Sequence, residues 1–275
     1  MAEFSLNGSG QNKLHVKVWE TAVPRAVIVL AHGYGEHAGR YGYVAARLND
    51  AGYLVVGADH HGHGLSAGSS GLISFDRAVT DLDRLVLSQR DVHPELPIFL
   101  LGHSMGGGIA LRYAIAHPAR LAGLILSAPL VRVDAHPVTK LAGSLLARLS
   151  PRLPLVELDP ALVSRDPEVV AAYVSDPLVR HRPIPAGTAA EFVRHTNTIL
   201  DDAEDIRLPT LLLWGTADGL CPPDGAEALA MALGSPDLTT RSFDGLYHEI
   251  FNEPERDVVL DAVITWLAMQ ASVHT

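Results

Sequence analysis

Apolar and polar positions alternate in "KLHVKVW" (13–19), the mark of a strand with one face in water. Short unbroken apolar runs follow. "RAVIVLAHG" (25–33), "YLVVGADH" (53–60), "PIFLLGH" (97–103), "LAGLILSAP" (121–129) and "PTLLLWGTAD" (209–218) predict strands buried on both faces. "LTTRSFDG" (238–245) predicts one more strand. Between them the spacing becomes that of helices, over 40–52, 76–94, 104–118, 222–233 and 253–270. Buried strands alternating with amphipathic helices predict an α/β fold, a mostly parallel central sheet with helices on both faces. Such sheets carry their sites at the carboxyl ends of the strands.

Residues 130–208 interrupt this order. They are proline-rich, show short helical patterns and carry no convincing strand. About 80 residues is too long for a structureless loop in a compact domain. The segment therefore predicts a helical cap inserted into one core made of 1–129 and 209–275. Within it, "HPVTKLAGSLLARLSPRL" (136–153) lines up Val138, Leu141, Ala142, Leu145, Leu146 and Leu149 on one helical face, beside Lys140, Arg148 and Arg152. Such a face either packs on the domain beneath or lies among lipid headgroups. Both readings stay open at this point.

The chemistry gathers at strand ends. "GHSMGGG" (102–108) joins a predicted strand to a predicted helix and fits G-x-S-x-G through Gly102, Ser104 and Gly106. It lacks the lysine of a phosphate loop and the spacing of a dinucleotide fingerprint. In this setting the serine hydroxyl projects above the sheet as a nucleophile. A base and its orienting acid should follow in the order acid, then histidine. Asp218 lies just beyond a strand end, and His248 in the loop before the last helix. Asp224 and Asp244 are rival acids that read as surface residues. Backbone N–H donors for an oxyanion are expected from Met105 and from Tyr34 in "AHGYGEH". His32, His60, His61 and His63 cluster in sequence, but their spacing matches no common zinc pattern. His117 and His136 carry no motif and read as solvated.

Bulk properties narrow the function. A formal net charge of −10 argues against a nucleic-acid partner. The single cysteine, Cys221, excludes an internal disulfide and fits a reducing cytoplasm. The start of the chain has no basic segment followed by an apolar run, and no stretch is apolar enough to span a bilayer.

The sequence resembles the monoacylglycerol lipases of the α/β-hydrolase fold. The resemblance rests on "AHGYGEHAGRY" (31–41), "DHHGHGLSAG" (59–68), "LGHSMGGGIA" (101–110), "LVSRDPEVVAAYVSDPLV" (162–179), "GTADGLC" (215–221) and "YHEIFNEPE" (247–255). It implies hydrolysis of a monoacylglycerol to fatty acid and glycerol, through an acyl-enzyme on Ser104, without metal or organic cofactor. It also implies that Glu36, Arg40 and Tyr173 lie near the glycerol end, that Cys221 lies near the site, and that the cap meets membranes or micelles. A Glu36–Arg40 ion pair shaping the loop is an equal reading of those two residues. The first half of the cap, near 130–160, departs from the animal members. A general carboxylesterase or lysophospholipase of the same fold is the alternative activity. Acyl transfer to an alcohol and a non-catalytic ligand-binding relative are further ones.

Overall fold

The computed structural model describes residues 1–133 and 147–271. Ten strands are present among them: β1 (Ala2–Asn7), β2 (Lys13–Trp19), β3 (Ala26–Ala31), β4 (Tyr53–Ala58), β5 (Ile98–His103), β6 (Gly123–Ser127), β7 (Pro154–Val156), β8 (Ile184–Pro185), β9 (Thr210–Gly215) and β10 (Leu238–Phe243). Eight form one sheet in the order β1-β2-β4-β3-β5-β6-β9-β10. The β1–β2 and β2–β4 pairs are antiparallel, and every other pair in this sheet is parallel.

The two-residue period of a strand explains the unbroken apolar runs. Val27 and Val29 of β3 point into one core, Ile28 and Leu30 into the other. Leu100 and Leu101 of β5 divide the same way, as do Leu212 and Leu213 of β9. Helices α2 (Phe75–Val92) and α3 (Met105–Ala116) cover the first face; α1 (Gly42–Asp50) and the C-terminal helix (Arg256–Ala271) cover the second. Ser74 caps α2 by accepting the Arg77 N–H.

Three strands differ from the sequence expectation. β1 was not expected. It lies at the sheet edge with five of its six residues exposed, so it buries little and leaves no apolar run. Between β6 and β9, a segment expected to hold no strand contains the short antiparallel pair β7–β8. Three residues against two, with prolines among them, are too few to display a period. The rest of that segment holds α4 (Pro167–Ser175), α5 (Ala186–Thr196) and α6 (Ile199–Asp202). Asp166 caps α4, accepting the Glu168 N–H, with Pro167 at the first helical position. His136, Val138, Lys140, Leu141, Ala142, Leu145 and Leu146 lie outside the described residues.

Candidate active site

β5 ends at His103 and α3 begins at Met105. Ser104, between them, has φ 55° and ψ −121°, a conformation that strains a residue with a Cβ. Three hydrogen bonds hold it there. Its N–H donates to the Ser127 carbonyl (3.0 Å), and its own carbonyl accepts from Gly108 (3.1 Å) and Leu130 (2.9 Å). Gly106 lets α3 approach β3: a Cβ there would stand 2.0 Å from the Ala31 carbonyl oxygen.

Asp218 lies three residues past the end of β9. Its Oδ1 accepts the N–H groups of Leu220 (2.8 Å) and Cys221 (2.9 Å), and its Oδ2 faces His248 Nδ1 at 2.8 Å. An anionic acceptor on that side places the proton on Nδ1 and leaves Nε2 able to take one. Burial raises the Asp218 pKa, but His248 and the two amides outweigh it and hold the carboxyl below its ordinary value. Burial opposes protonation of His248; Asp218 first, then Glu249 and Glu36, outweigh it and raise its pKa above 6.5. The ring of His103 packs 4.8 Å from that of His248 and is pushed down to about 3, by burial and then by His248. Cys221 is partly buried; burial and the Asp218 charge push the pKa of its thiol up. Asp224 is exposed and paired with Arg132, and Asp244 is exposed and accepts the Thr216 hydroxyl at 3.2 Å.

Met105 opens α3, so its N–H has no acceptor within the helix. The Tyr34 N–H lies on the loop after β3, which is pinned on both sides of Gly33. The Gly33 N–H donates to Glu36 Oε1 (2.6 Å), and the Gly33 carbonyl accepts from His32 Nδ1 (2.8 Å). His32 Nε2 in turn accepts the His60 N–H (2.9 Å). The rings of His32, His60 and His63 pack together, with centroids 4.3 Å and 5.7 Å from that of His32. Burial before all else keeps them neutral, with His60 pushed down to about 3 and His63 to about 4. These histidines thus brace the loop through backbone groups. His61 accepts from Arg77 (3.0 Å), and His117 is half-buried against Tyr113.

Glu36 has little left to offer a ligand. Oε1 also accepts the Tyr41 hydroxyl (2.7 Å), and Oε2 accepts from Arg40 (2.8 Å). Arg40 turns its other donors to Glu249, at 2.6 and 2.8 Å, and lies 4.7 Å from the centroid of the Tyr173 ring. Glu249 is a residue that the sequence reading did not single out. Its signal was a carboxylate directly after the candidate base in "YHEIFNE". Other unforeseen ties join the inserted segment to the same loops. His37 meets Asp176 (2.9 Å), the Arg180 N–H meets the Gly35 carbonyl (2.7 Å), and Glu253 accepts from Arg165 Nε (2.8 Å) and the Tyr247 N–H (3.1 Å).

A cavity of about 920 Å³ opens over Ser104. Ser104, Met105, Tyr34, His248 and Cys221 line it, as do Glu36, Glu249 and Tyr173; Arg40 is not among its lining residues. The inserted segment supplies an apolar wall that includes Leu149, Leu155, Val163, Ile184 and Phe192. Among the described residues no group of three or more His, Cys, Asp or Glu side chains is arranged to hold a metal ion.

The chain is similar to known proteins over most of its length. Residues 22–255 match the family described as serine aminopeptidase, S33. A monoacylglycerol lipase of Mycolicibacterium smegmatis is 42% identical over 272 residues, spanning 97% of this chain and 96% of that protein. The crystal structure of the Paleococcus ferrophilus monoacylglycerol lipase superposes with a TM-score of 0.85 at 35% identity, covering 94% of this chain and 99% of that one. A soluble variant of the Saccharomyces cerevisiae monoglyceride lipase, solved with a substrate analogue, gives 0.86 at 26% identity, covering 98% and 94%.

Proposed function

The chain belongs to the monoacylglycerol lipase family of α/β-hydrolases and is a carboxylic ester hydrolase, and from that premise we propose that it cleaves monoacylglycerols to fatty acid and glycerol through an acyl-enzyme on Ser104. The observation that carries this reading is the meeting, in one apolar cavity, of a strained serine and a histidine oriented by a buried aspartate.

The reaction then runs in two halves. Ser104 Oγ attacks the ester carbonyl as His248 Nε2 takes its proton. The carbonyl oxygen becomes an anion and accepts the N–H groups of Tyr34 and Met105. Collapse breaks the bond to glycerol, whose oxygen takes the proton from His248. A water molecule repeats the sequence on the acyl-enzyme, losing its proton to His248 and releasing the fatty acid and Ser104. Asp218 holds Nδ1–H throughout and stabilises the transient imidazolium. The acyl chain lies along the wall of Leu155, Ile184 and Phe192, and the glycerol end lies toward Tyr173. Glu36 and Arg40 act on this end through the loop they shape, because their polar atoms are already committed.

The cap reaches the lipid surface by the rim of this cavity. Leu149, Leu155, Val156 and Leu158 line it and are exposed, and the exposed Arg148, Arg152 and Leu153 adjoin them in the chain. Among the described residues no helix is long and apolar enough to cross a membrane.

The test is labelling by a fluorophosphonate, followed by rates on mono-, di- and triacylglycerols, a lysophospholipid and a short ester. Ser104 is the residue expected to be labelled, and Ser104→Ala is expected to lose about 10⁴-fold or more in kcat with the fold intact. Labelling at another serine, with activity kept in the alanine variant, removes Ser104 from the mechanism. Lysophospholipid as the fastest substrate replaces the monoacylglycerol assignment.

A further inference from the structure

The last glycine of "GHSMGGG" answers to a different neighbour from the other three. A Cβ on Gly108 would stand 2.8 Å from His195 Nε2 and 3.1 Å from the Leu130 carbonyl oxygen. His195 comes from α5, is 2% exposed, and stacks on Phe75 with ring centroids 4.4 Å apart. The reaction above does not use it. Both ring nitrogens nevertheless have fixed partners. Arg112 Nε–H donates to Nδ1 (3.1 Å), so Nδ1 carries no proton. Nε2–H therefore donates to the Leu130 carbonyl (2.9 Å). The Leu130 N–H donates in turn to the Ser104 carbonyl (2.9 Å).

That carbonyl shares a planar trans peptide with the Met105 N–H, and the two point in opposite directions. A hydrogen bond holding the carbonyl from behind aims the amide forward. We propose that His195 is a positioning residue for the oxyanion hole: through Leu130 it fixes the peptide that presents the Met105 N–H. The proposal rests on the reading of Ser104 as nucleophile. The opposite donor is held in the same manner, since His32 grips the Gly33 carbonyl whose peptide carries the Tyr34 N–H. Burial, and then the Arg112 charge, push His195 down to about 3, so the ring stays neutral near neutral pH and keeps the one tautomer the chain of bonds requires. Arg112 fixes the far end by also donating to Asp202 (2.6 Å), the Thr198 hydroxyl (2.6 Å) and the His195 carbonyl (3.1 Å). The inserted segment thereby reaches the serine turn from behind as well as across the cavity.

His195→Phe keeps a ring against Phe75 and removes the donor to Leu130. Rates are taken on the full chain with a short p-nitrophenyl ester, per active site titrated with a fluorophosphonate. The expected result is a kcat about 10- to 100-fold lower, less than outright loss of an oxyanion donor, with KM changed by less than about twofold. A trifluoromethyl ketone, which forms a tetrahedral oxyanion on the serine, should lose affinity by the same factor. His195→Gln, whose amide N–H can reach Leu130, should recover most of both. Wild-type kcat per titrated site in His195→Phe overturns the proposal, and so does an equal loss in His195→Gln. If His195→Phe does not fold, Gly108→Ala crowds the ring out by its Cβ, and an unchanged kcat there overturns it equally. Ser104→Ala is run beside these. Activity surviving in that variant brings down the nucleophile itself; Ser104-dependent turnover with an unaffected His195→Phe removes this inference alone.

Discussion

Replacing Arg40 by methionine should unfold the protein more than it disarms any single contact. The guanidinium makes hydrogen bonds of 2.8, 2.6 and 2.8 Å to Glu36 and Glu249, whose side chains are 4% and 7% exposed. Methionine fills much of the volume but leaves two buried carboxylates without a cation. Removing one partner of a buried pair costs about 3–5 kcal/mol, mostly from the charge left behind. For a chain of this size that corresponds to a melting point lower by roughly 6–20 °C. The sign with pH follows from linkage. Burial penalises the charged form of a carboxylate left without a cation. The deficit should therefore be larger where both carboxylates are ionised than in acid. Urea unfolding at pH 5, 6.5 and 8 reads this directly. Adding Glu249→Gln to Arg40→Met removes one stranded charge and should restore about half of the loss. A deficit below about 1 kcal/mol that is the same at all three pH values would refute the argument from buried charge.

Other outcomes follow from the site. Because the pKa of His248 is raised and the base must be neutral, kcat/KM should fall as pH drops through a midpoint above 6.5. Asp218→Asn removes the strongest partner raising that pKa, so it should move the midpoint down while costing about 10⁴-fold in kcat; a stationary midpoint contradicts the pairing. The raised pKa of Cys221 leaves little thiolate, so alkylation should be slow near neutrality and quicken with pH. Once formed, a bulky adduct beside Ser104 should block turnover, and Cys221→Ala should abolish the sensitivity; full activity after complete modification contradicts this. Leu149→Asp with Leu153→Asp should weaken vesicle binding and hydrolysis of vesicle-borne monoacylglycerol while sparing a short water-soluble ester; equal loss of both activities makes the rim part of the core.

Much of the architecture was legible because it is written in short-range patterns. The buried strands declare themselves as apolar runs since each has a core on both faces, and G-x-S-x-G marks the strand-to-helix turn at Ser104. Asp218 and His248 were legible as candidates from chain order, and the fold brings them to 2.8 Å. What the sequence hid is long-range and polar. Arg40 and Glu249 are 209 positions apart, and His37 and Asp176 are 139 apart. No local period announces such pairs. The motif left the loop-brace and glycerol-contact readings of Glu36 both open, because it cannot display which partners occupy the oxygens. β1 escaped because an exposed edge strand buries too little to require apolar residues. The helical face expected over 136–153 falls largely outside the described residues, and its exposed end contributes Leu149 to the cavity.

The order in which the chain is synthesised bears on when it can act. The ribosome delivers the serine turn with β5, β6 and α3, yet β6 finds its other neighbour, β9, only after the whole inserted segment has emerged. The proposed acid and base, Asp218 and His248, and Glu249, which pairs with Arg40, all come later still. A nascent or prematurely terminated chain therefore carries the G-x-S-x-G turn without the proposed base and without Glu249, the partner of Arg40. A chain cut short before residue 218 is expected to turn over no ester, whatever its Ser104 motif.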